Sequence, residues 1–231
     1  MREMEAIELD QRRGETVDLV VDYLRRGILA GEFAPGQRLI SREIIEQIGV
    51  SRGPLREAFR RLAAEGLIEL TTNRGASVRR FSRDEIAEIF EIREMLEGLA
   101  AQLAAKKIDL RDNRRRFEEI WAPQASRKFT SSQEFIEANR LLHRVIMEIS
   151  GNAQLSKLID QMALPVVMFQ LRRLMSPEDV TKSMQEHIAI AEAILAGDGQ
   201  RAEDAMRTHL RSSAARFMKM PATAFRPGGE Q

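Results

Sequence analysis

The chain of 231 residues (26.3 kDa) is 43% hydrophobic and 31% charged, enough for one large domain or two small ones with real cores. Its longest unbroken apolar run, Met162–Phe169, is eight residues long with a proline inside. A membrane helix needs roughly 20, and the opening MREMEAIELD is acidic with no apolar stretch, so neither a span nor a secretory signal is expected. The absence of cysteine excludes disulfides, zinc ribbons and thiol catalysis, and the cytoplasm is the expected compartment.

The net charge of +1 is unevenly spread. Residues 38–80 hold nine arginines against five acids, and the first lysine is Lys106. Arginine suits planar contacts to phosphate or guanine. Thirty of the 36 basic residues are arginine, however, so the excess is informative only where it falls on one face.

In chain order, Thr16–Ala30 carries Val17, Val20, Val21, Leu24 and Ile28 at helical spacing, with Gly31 as its stop. Ala34-Pro35-Gly36 is a turn. Ser41 is read as the cap of a short helix through Gln47, ended by Gly49, and Ser51 as the cap of another reaching about Glu65. Leu67–Leu70, a turn at Asn73-Arg74-Gly75, and Ala76–Arg80 read as a strand pair.

Beyond Phe81 the pattern is helical. Ser82 and Glu85 form a capping box opening a helix to about Lys107, and a second helix covers about Leu110–Trp121. Thr130 with Gln133, or Ser131 with Glu134, opens a third that stops at Gly151. A fourth runs from Asn152 to about Leu174 with a kink at Pro165. The fifth starts at Ser176-Pro177 and ends at Gly197, and the sixth covers about Gly199–Met218. The expected fold is mainly α: a winged helix-turn-helix over residues 1–81, a six-helix antiparallel bundle over 82–220, and a disordered tail over 221–231.

Three short helices and a ribbon make a winged DNA reader whose third helix enters the major groove. On a helical wheel Arg52, Arg56 and Arg60 share one stripe, roughly opposite Leu55, Phe59 and Leu62. A solvated, charge-laced helix is the plain alternative. Against it, Ser51 and Gly53 leave the helix start small, so that its backbone N–H groups can approach a phosphate. Arg74-Gly75 puts a cation beside a residue of almost no bulk at the wing tip, which suits insertion into a groove.

The motifs Gly36-Gln37-Arg38-Leu39, Gly49-Val50-Ser51-Arg52-Gly53-Pro54-Leu55-Arg56-Glu57-Ala58 and Leu62-Ala63-Ala64-Glu65-Gly66-Leu67-Ile68 resemble a GntR-type bacterial transcription factor over about residues 14–80. The resemblance implies DNA contacts by Arg42, Ser51, Arg52, Gly53, Arg56, Arg74 and Gly75. Arg52 and Arg56 would include the base reader and Arg42 would grip phosphate; threonine is the commoner residue where Gly53 stands.

All three histidines lie in the second half: His143, His187 and His209. A lone histidine is usually a surface or half-buried residue. Here Asn139 and His143 are i and i+4, and His187 and His209 fall near the middles of the fifth and sixth helices. Each has apolar neighbours, and three buried imidazoles call for partners or a cation. Ile92-Arg93-x-x-Leu96-Glu97, Asn139-x-x-x-His143 and the later histidines are similar to the FCD effector domain of the FadR branch of GntR regulators, over about residues 82–218. That resemblance implies a divalent metal, commonly zinc and sometimes nickel or manganese, held by Asn139, His143, His187 and His209. It also implies a small anionic metabolite as effector, with Arg93 as its second clamp; an ion pair with Glu97 is the alternative for Arg93. With neutral Asn139 where aspartate is common, the ion keeps its full charge, which weakens its own binding and favours an anionic effector.

The expected function is thus a ligand-responsive regulator, a repressor, binding a palindromic double-stranded operator as a homodimer. A metal-dependent hydrolase and a regulator with a purely structural metal are the alternatives. No HExxH pairing of ligand and base supports the hydrolase.

Overall fold

The computed structural model describes residues 2–72, 75–127, 129, 131–162 and 175–226. The chain forms two compact units that divide between Arg80 and Phe81.

The first unit begins with α1 (Arg2–Ala30), followed by β1 (Arg38–Leu39), α2 (Ser41–Ile48), α3 (Arg52–Ala64), β2 (Ile68–Thr71) and β3 (Gly75–Val78). Apolar spacing points to a helix only from Thr16, whereas α1 starts at Arg2; the added residues are mostly strong helix formers (Arg, Glu, Met, Ala, Leu, Gln), which need no core stripe to favour helix. Val20, Leu24 and Ile28 of α1 are fully buried with Leu55, Ala58 and Leu62 of α3 and Ile68 and Val78 of the sheet. That burial leaves the opposite face of α3 to water. Tyr23 donates to Gln47 of α2 at 3.1 Å, and Arg25 pairs with Glu65 at 2.8 Å, tying α1 to the helices it supports.

Two local readings are corrected here. Ser41 is the first helical residue of α2, with Ile40 at the cap position and no side-chain cap bond. The sheet also has a third strand: β1 pairs antiparallel with β3, Arg38 opposite Ser77 and Leu39 opposite Ala76, giving the order β1-β3-β2. Two residues are too short for an alternating pattern, so only pairing reveals this strand. Gly36, at φ +80, turns the chain so that its N–H reaches the Val78 carbonyl at 2.9 Å and β1 lies against β3.

The second unit contains α4 (Arg83–Lys106), α5 (Asn113–Ala125), α6 (Ser132–Ser150), α7 (Ala153–Asp160), α8 (Pro177–Leu195) and α9 (Gly199–Met218). Helix α4 packs along α9, α6 and α8. Three caps match their motifs: Ser82 with Glu85 at α4, Ser131 accepting from the Glu134 N–H at α6, and Ser176 with Asp179 at α8, where Pro177 takes the first turn. Helix α5 begins three residues later than expected, at Asn113, after a turn in which Arg111 adopts φ 54. Helix α7 ends at Asp160 with a turn at Gln161–Met162; residues 163–174, including Pro165, Arg172 and Arg173, lie outside the described residues.

The segment expected to be a disordered tail is ordered through Arg226. Residues Ala222–Ala224 form a 3₁₀ turn, Phe225 is 3% exposed, and the Arg226 N–H bonds the Phe81 carbonyl at 2.9 Å. A single aromatic side chain supplies the burial that the polar composition concealed. Residues 227–231 lie outside the described residues.

Candidate functional site

The first unit presents the exposed face of α3 and the sheet's β2–β3 end. Ser51 occupies the cap position expected of it, with extended backbone (φ −85, ψ 170), and its side chain makes no cap bond. The hydroxyl and the first N–H groups of α3 are therefore free of one another, and Gly53 beside them is exposed. Leu55, Phe59 and Leu62 are buried, which turns Arg52, Arg56 and Arg60 outward.

The three arginines of that stripe are not equivalent. Arg60 pairs with Glu57 at 3.3 Å, whereas Arg52 and Arg56 form no hydrogen bond or ion pair with any described residue. Arg42 on α2 is 87% exposed and pairs with Glu46 at 2.9 Å. Arg61 is taken up by Asp18 of α1 at 2.7 Å. Gly75 is exposed at φ +84, and a Cβ there would meet nothing within 4 Å. Arg74 lies outside the described residues. The sequence reading passed over Arg38, an exposed cation on β1 with no partner among the described residues; its signal was the third strand that the reading also missed.

In the second unit, α6, α8 and α9 bring His143, His187 and His209 together. One ligand nitrogen from each lies within 4.8 Å of the others. Ring centroids are 5.6 Å apart for His143–His187, 5.3 Å for His143–His209 and 4.5 Å for His187–His209. Phe135 stacks on His187 at 6.0 Å with 12° between planes, closing one side with an apolar face. Asn139 lies one helical turn before His143 on α6 and is half-buried.

Two carboxylates orient this cluster. Glu97 of α4 bonds His143 Nδ1, and Glu186 of α8 bonds His209 Nδ1 at 2.8 Å. A carboxylate on Nδ1 selects the tautomer with the proton there, leaving the Nε2 lone pair for a ligand. His143 Nε2 is buried without a partner among the described residues, and His187 Nε2 and His209 Nε2 lie 3.3 Å apart. An orphaned buried nitrogen beside two more imidazole nitrogens is a donor set that a divalent ion satisfies.

Each carboxylate has its own arginine. Arg93 Nε donates to Glu97 at 2.7 Å with both side chains nearly inaccessible (6% and 3%), and the guanidinium sits 4.7 Å above the Phe90 ring. Arg216 grips Glu186 through two bonds of 3.0 Å. Burial pushes the Glu97 carboxyl upward, but the charge of Arg93 and the bond to His143 outweigh it and hold the acid well below its ordinary range. Burial likewise opposes ionisation of Glu186, and the bonds from His209 and Arg216 bring it down to about 2. The imidazoles move the other way from the usual exposed histidine: burial, then His209 and His143, push His187 well below 6.5. Burial takes His209 to about 4 although Glu186 pulls it upward. Neutral imidazoles are the form that binds metal.

The ion pair of Arg93 with Glu97 was one of its two readings, and it is the contact present. The two terminal nitrogens of Arg93 bond no described residue, so the fork retains donors. Glu186 and Arg216 escaped the sequence reading altogether. They lie 30 residues apart, on two helices, and nothing in local spacing announces the pair.

Residues 88–212 match the FCD domain family, and residues 16–78 match the family described as bacterial regulatory proteins, gntR family. The chain belongs to the GntR family of bacterial regulatory proteins, and its second unit carries an FCD domain. It is a DNA-binding transcriptional regulator, not an enzyme, which sets aside the hydrolase alternative. It is 29% identical over 98% of its length to a probable D-xylose utilization operon transcriptional repressor of Paenarthrobacter nicotinovorans, covering 96% of that protein. It is 32% identical over 82% of its length to an HTH-type transcriptional regulator in an unstable DNA locus of Streptomyces ambofaciens, covering 79% of it. Among solved structures, McbR/YncC of E. coli aligns with a TM-score of 0.70 at 21% identity, over 88% of this chain and 97% of that one. That likeness is one of fold.

Proposed function

We propose that the protein is a metal-dependent, ligand-responsive repressor that binds a palindromic operator as a homodimer. The observation that carries the sensing half is the buried Nε2 of His143, without a partner among the described residues, on a histidine that has a ligand nitrogen within 4.8 Å of those of His187 and His209 on two other helices. His143, His187, His209 and the side-chain oxygen of Asn139 would hold a divalent ion, with zinc favoured by the nitrogen-rich set and nickel or manganese the other candidates. When bound, the ion supplies a Lewis-acidic position for one carboxylate oxygen of a small anionic metabolite. Arg93 supplies the second anchor, its charge already fixed in place by Glu97. FCD domains are effector-sensing domains, and the named repressor from Paenarthrobacter supports the sign of the response.

On DNA, Arg52 and Arg56 read base edges, their guanidinium groups without a partner among the described residues. Ser51 and Gly53 bring the start of α3 to a phosphate, Arg42 grips a second one, and Arg74-Gly75 enters the adjacent groove. Two such units on one operator require a dimer. Helix α4 offers the face for it. Ile92, Met95 and Leu99 are 50%, 58% and 39% exposed, and with half-buried Ile89, Leu96 and Leu103 they repeat every three and four residues. That is the spacing of a seam for another helix. Exposed Glu88 lies near one end of the stripe, and Lys106, whose amine bonds Gln102, lies at the other. A second copy laid antiparallel puts each acid against the partner's base.

The test is to measure metal content of the purified protein and its affinity for DNA from the region upstream of its own gene, with and without Zn²⁺ and candidate carboxylates. The expected result is about one metal per chain and weaker DNA binding when an effector is added. A protein that takes up no metal, and whose melting temperature Zn²⁺ leaves unchanged, does not have this site.

A further inference from the structure

The segment that follows the His209 helix returns to the point where the second unit begins. Helix α9 continues unbroken from His209 to Met218, about 14 Å along its axis. In its last turn Phe217 meets Phe90 of α4 edge-on, at 5.3 Å between centroids. Past the helix, the buried Met220 offers its carbonyl to Arg83 Nη2 at 2.7 Å, and the Arg83 guanidinium covers the Phe225 ring at 4.8 Å. The Arg226 N–H then bonds the Phe81 carbonyl at 2.9 Å. Its side chain donates at 3.0 Å to Glu85 Oε2, the same oxygen that accepts the Ser82 N–H at 2.7 Å in the α4 capping box.

The two side-chain bonds join residues 137 and 141 positions apart in the chain, and with the Arg226–Phe81 bond they connect the start of α4 to the segment that follows α9. Phe81 is itself 1% exposed and is the first residue of the unit. The Arg226–Phe81 main-chain bond, the Arg83 bond to the Met220 carbonyl, the Arg226–Glu85 ion pair and the Arg83–Phe225 ring contact are among the interactions that hold the segment. Such a set can be made or broken while the bundle core stays intact.

We infer that Lys219–Arg226 is a strap that couples the His209 helix to the first turn of α4, and through it to the residue at which the chain leaves the DNA-binding unit. The inference rests on the ligand-responsive reading above and adds the route by which occupancy of the histidine site is passed on. Stiffening α9 at His209 holds Phe217 and Met220 in register with Phe90 and Arg83, and the strap then holds Phe81 and Glu85. Coupling of this kind needs a physical element that both ends bias, and the strap is continuous with one end and hydrogen-bonded to the other.

Amide hydrogen exchange on the full chain, with Zn²⁺ as the probe, tests this. In the unaltered protein Zn²⁺ is expected to slow exchange in peptides covering 139–147, and also in peptides covering 81–90 by about tenfold, the scale of ordinary coupling between sites. In a chain ending at Met220 the first effect remains and the second is lost, and Phe225→Ala, a milder change, reduces it. The retained protection over 139–147 shows that both variants are folded and bind the ion. Protection of 81–90 that survives removal of the strap overturns the inference while leaving the metal site standing; so does an unaltered protein in which only 139–147 responds. If Zn²⁺ protects neither region, the metal reading fails first and the inference falls with it.

Discussion

Glu97 on α4 accepts a hydrogen bond from His143 on α6 across 46 residues of sequence, and both groups are withdrawn from solvent. The same carboxylate neutralises Arg93. One acid therefore sets the tautomer of a proposed metal ligand and positions the proposed effector anchor. Glu97→Gln keeps a hydrogen-bonding group of similar shape but removes the charge. Zinc affinity, read by competition with a chromophoric chelator, should fall about 10- to 100-fold, the usual effect of losing an outer-shell partner. Glu97→Ala should in addition destabilise the fold by about 3–5 kcal/mol, because Arg93 is left buried and unpaired. Wild-type affinity in Glu97→Gln would show that the carboxylate does not serve the site.

Asn139 can be tested by making it charged. Asn139→Asp adds an anionic ligand one turn before His143, so Zn²⁺ should bind more tightly and resist EDTA longer. His143→Ala should abolish binding, since its buried Nε2, without a partner among the described residues, is a proposed ligand atom. Equal affinity in Asn139→Asp and the unaltered chain places residue 139 outside the coordination sphere.

The metal-free protein should lose stability in acid in two stages. The folded-state values of His187 and His209 lie below the ordinary 6.5, that of His209 at about 4. Between those values the unfolded chain binds more protons, so the contribution is complete above about pH 6.5 and declines as pH falls toward 4. Glu97 and Glu186, lowered from 4.5, add a loss of the same sign that begins below about pH 4.5. Thermal melts in chelator at pH 8, 6, 5 and 4 measure this. A melting temperature that is flat from pH 8 to 5 contradicts the burial of neutral imidazoles.

On the DNA side, the exposed arginines should separate by their partners. Arg52→Ala or Arg56→Ala should cost about 1–3 kcal/mol on a specific operator and relax preference at one base position. Arg60→Ala should cost less, since Glu57 already engages that guanidinium. Arg42→Ala should weaken binding to all sequences and reduce the salt slope by about 0.9 if it neutralises one phosphate. Anisotropy titrations at several salt concentrations separate the two behaviours, and an unchanged slope removes Arg42 from the backbone contacts.

The antiparallel α4 seam makes a charge-swap prediction. Glu88→Lys and Lys106→Glu should each shift the protein from dimer toward monomer in sedimentation velocity, and the double variant should restore the dimer. Ile92→Glu should give monomer without rescue. Single variants that remain fully dimeric would assign the interface to another face.

Much of the architecture was legible because its determinants are local. The caps at Ser82, Ser131 and Ser176 and the stop at Gly151 depend on groups within a few residues of one another, and so does the apolar stripe of α3 that turns Arg52 and Arg56 outward. The i,i+4 relation of Arg93 to Glu97 was equally visible. Where pairing or burial decides, local sequence was silent. A two-residue strand exists because β3 lies beside it, and the tail is held where Phe225 is buried beneath the Arg83 guanidinium and the Arg226 N–H reaches the Phe81 carbonyl.

The sequence by itself determined which residues were available for chemistry: three histidines, no cysteine, and arginines gathered on one helix and a wing. Tertiary structure alone decided which of their atoms are free. Folding assigned Arg42, Arg60 and Arg61 to acids and left Arg52 and Arg56 without a partner among the described residues. It set Glu97 on His143 Nδ1 and Glu186 on His209 Nδ1, and brought the Nε2 atoms of His187 and His209 to 3.3 Å. The physical reason is that a lone pair or guanidinium is made available by what its neighbours already bind, and those neighbours come from helices distant in the chain.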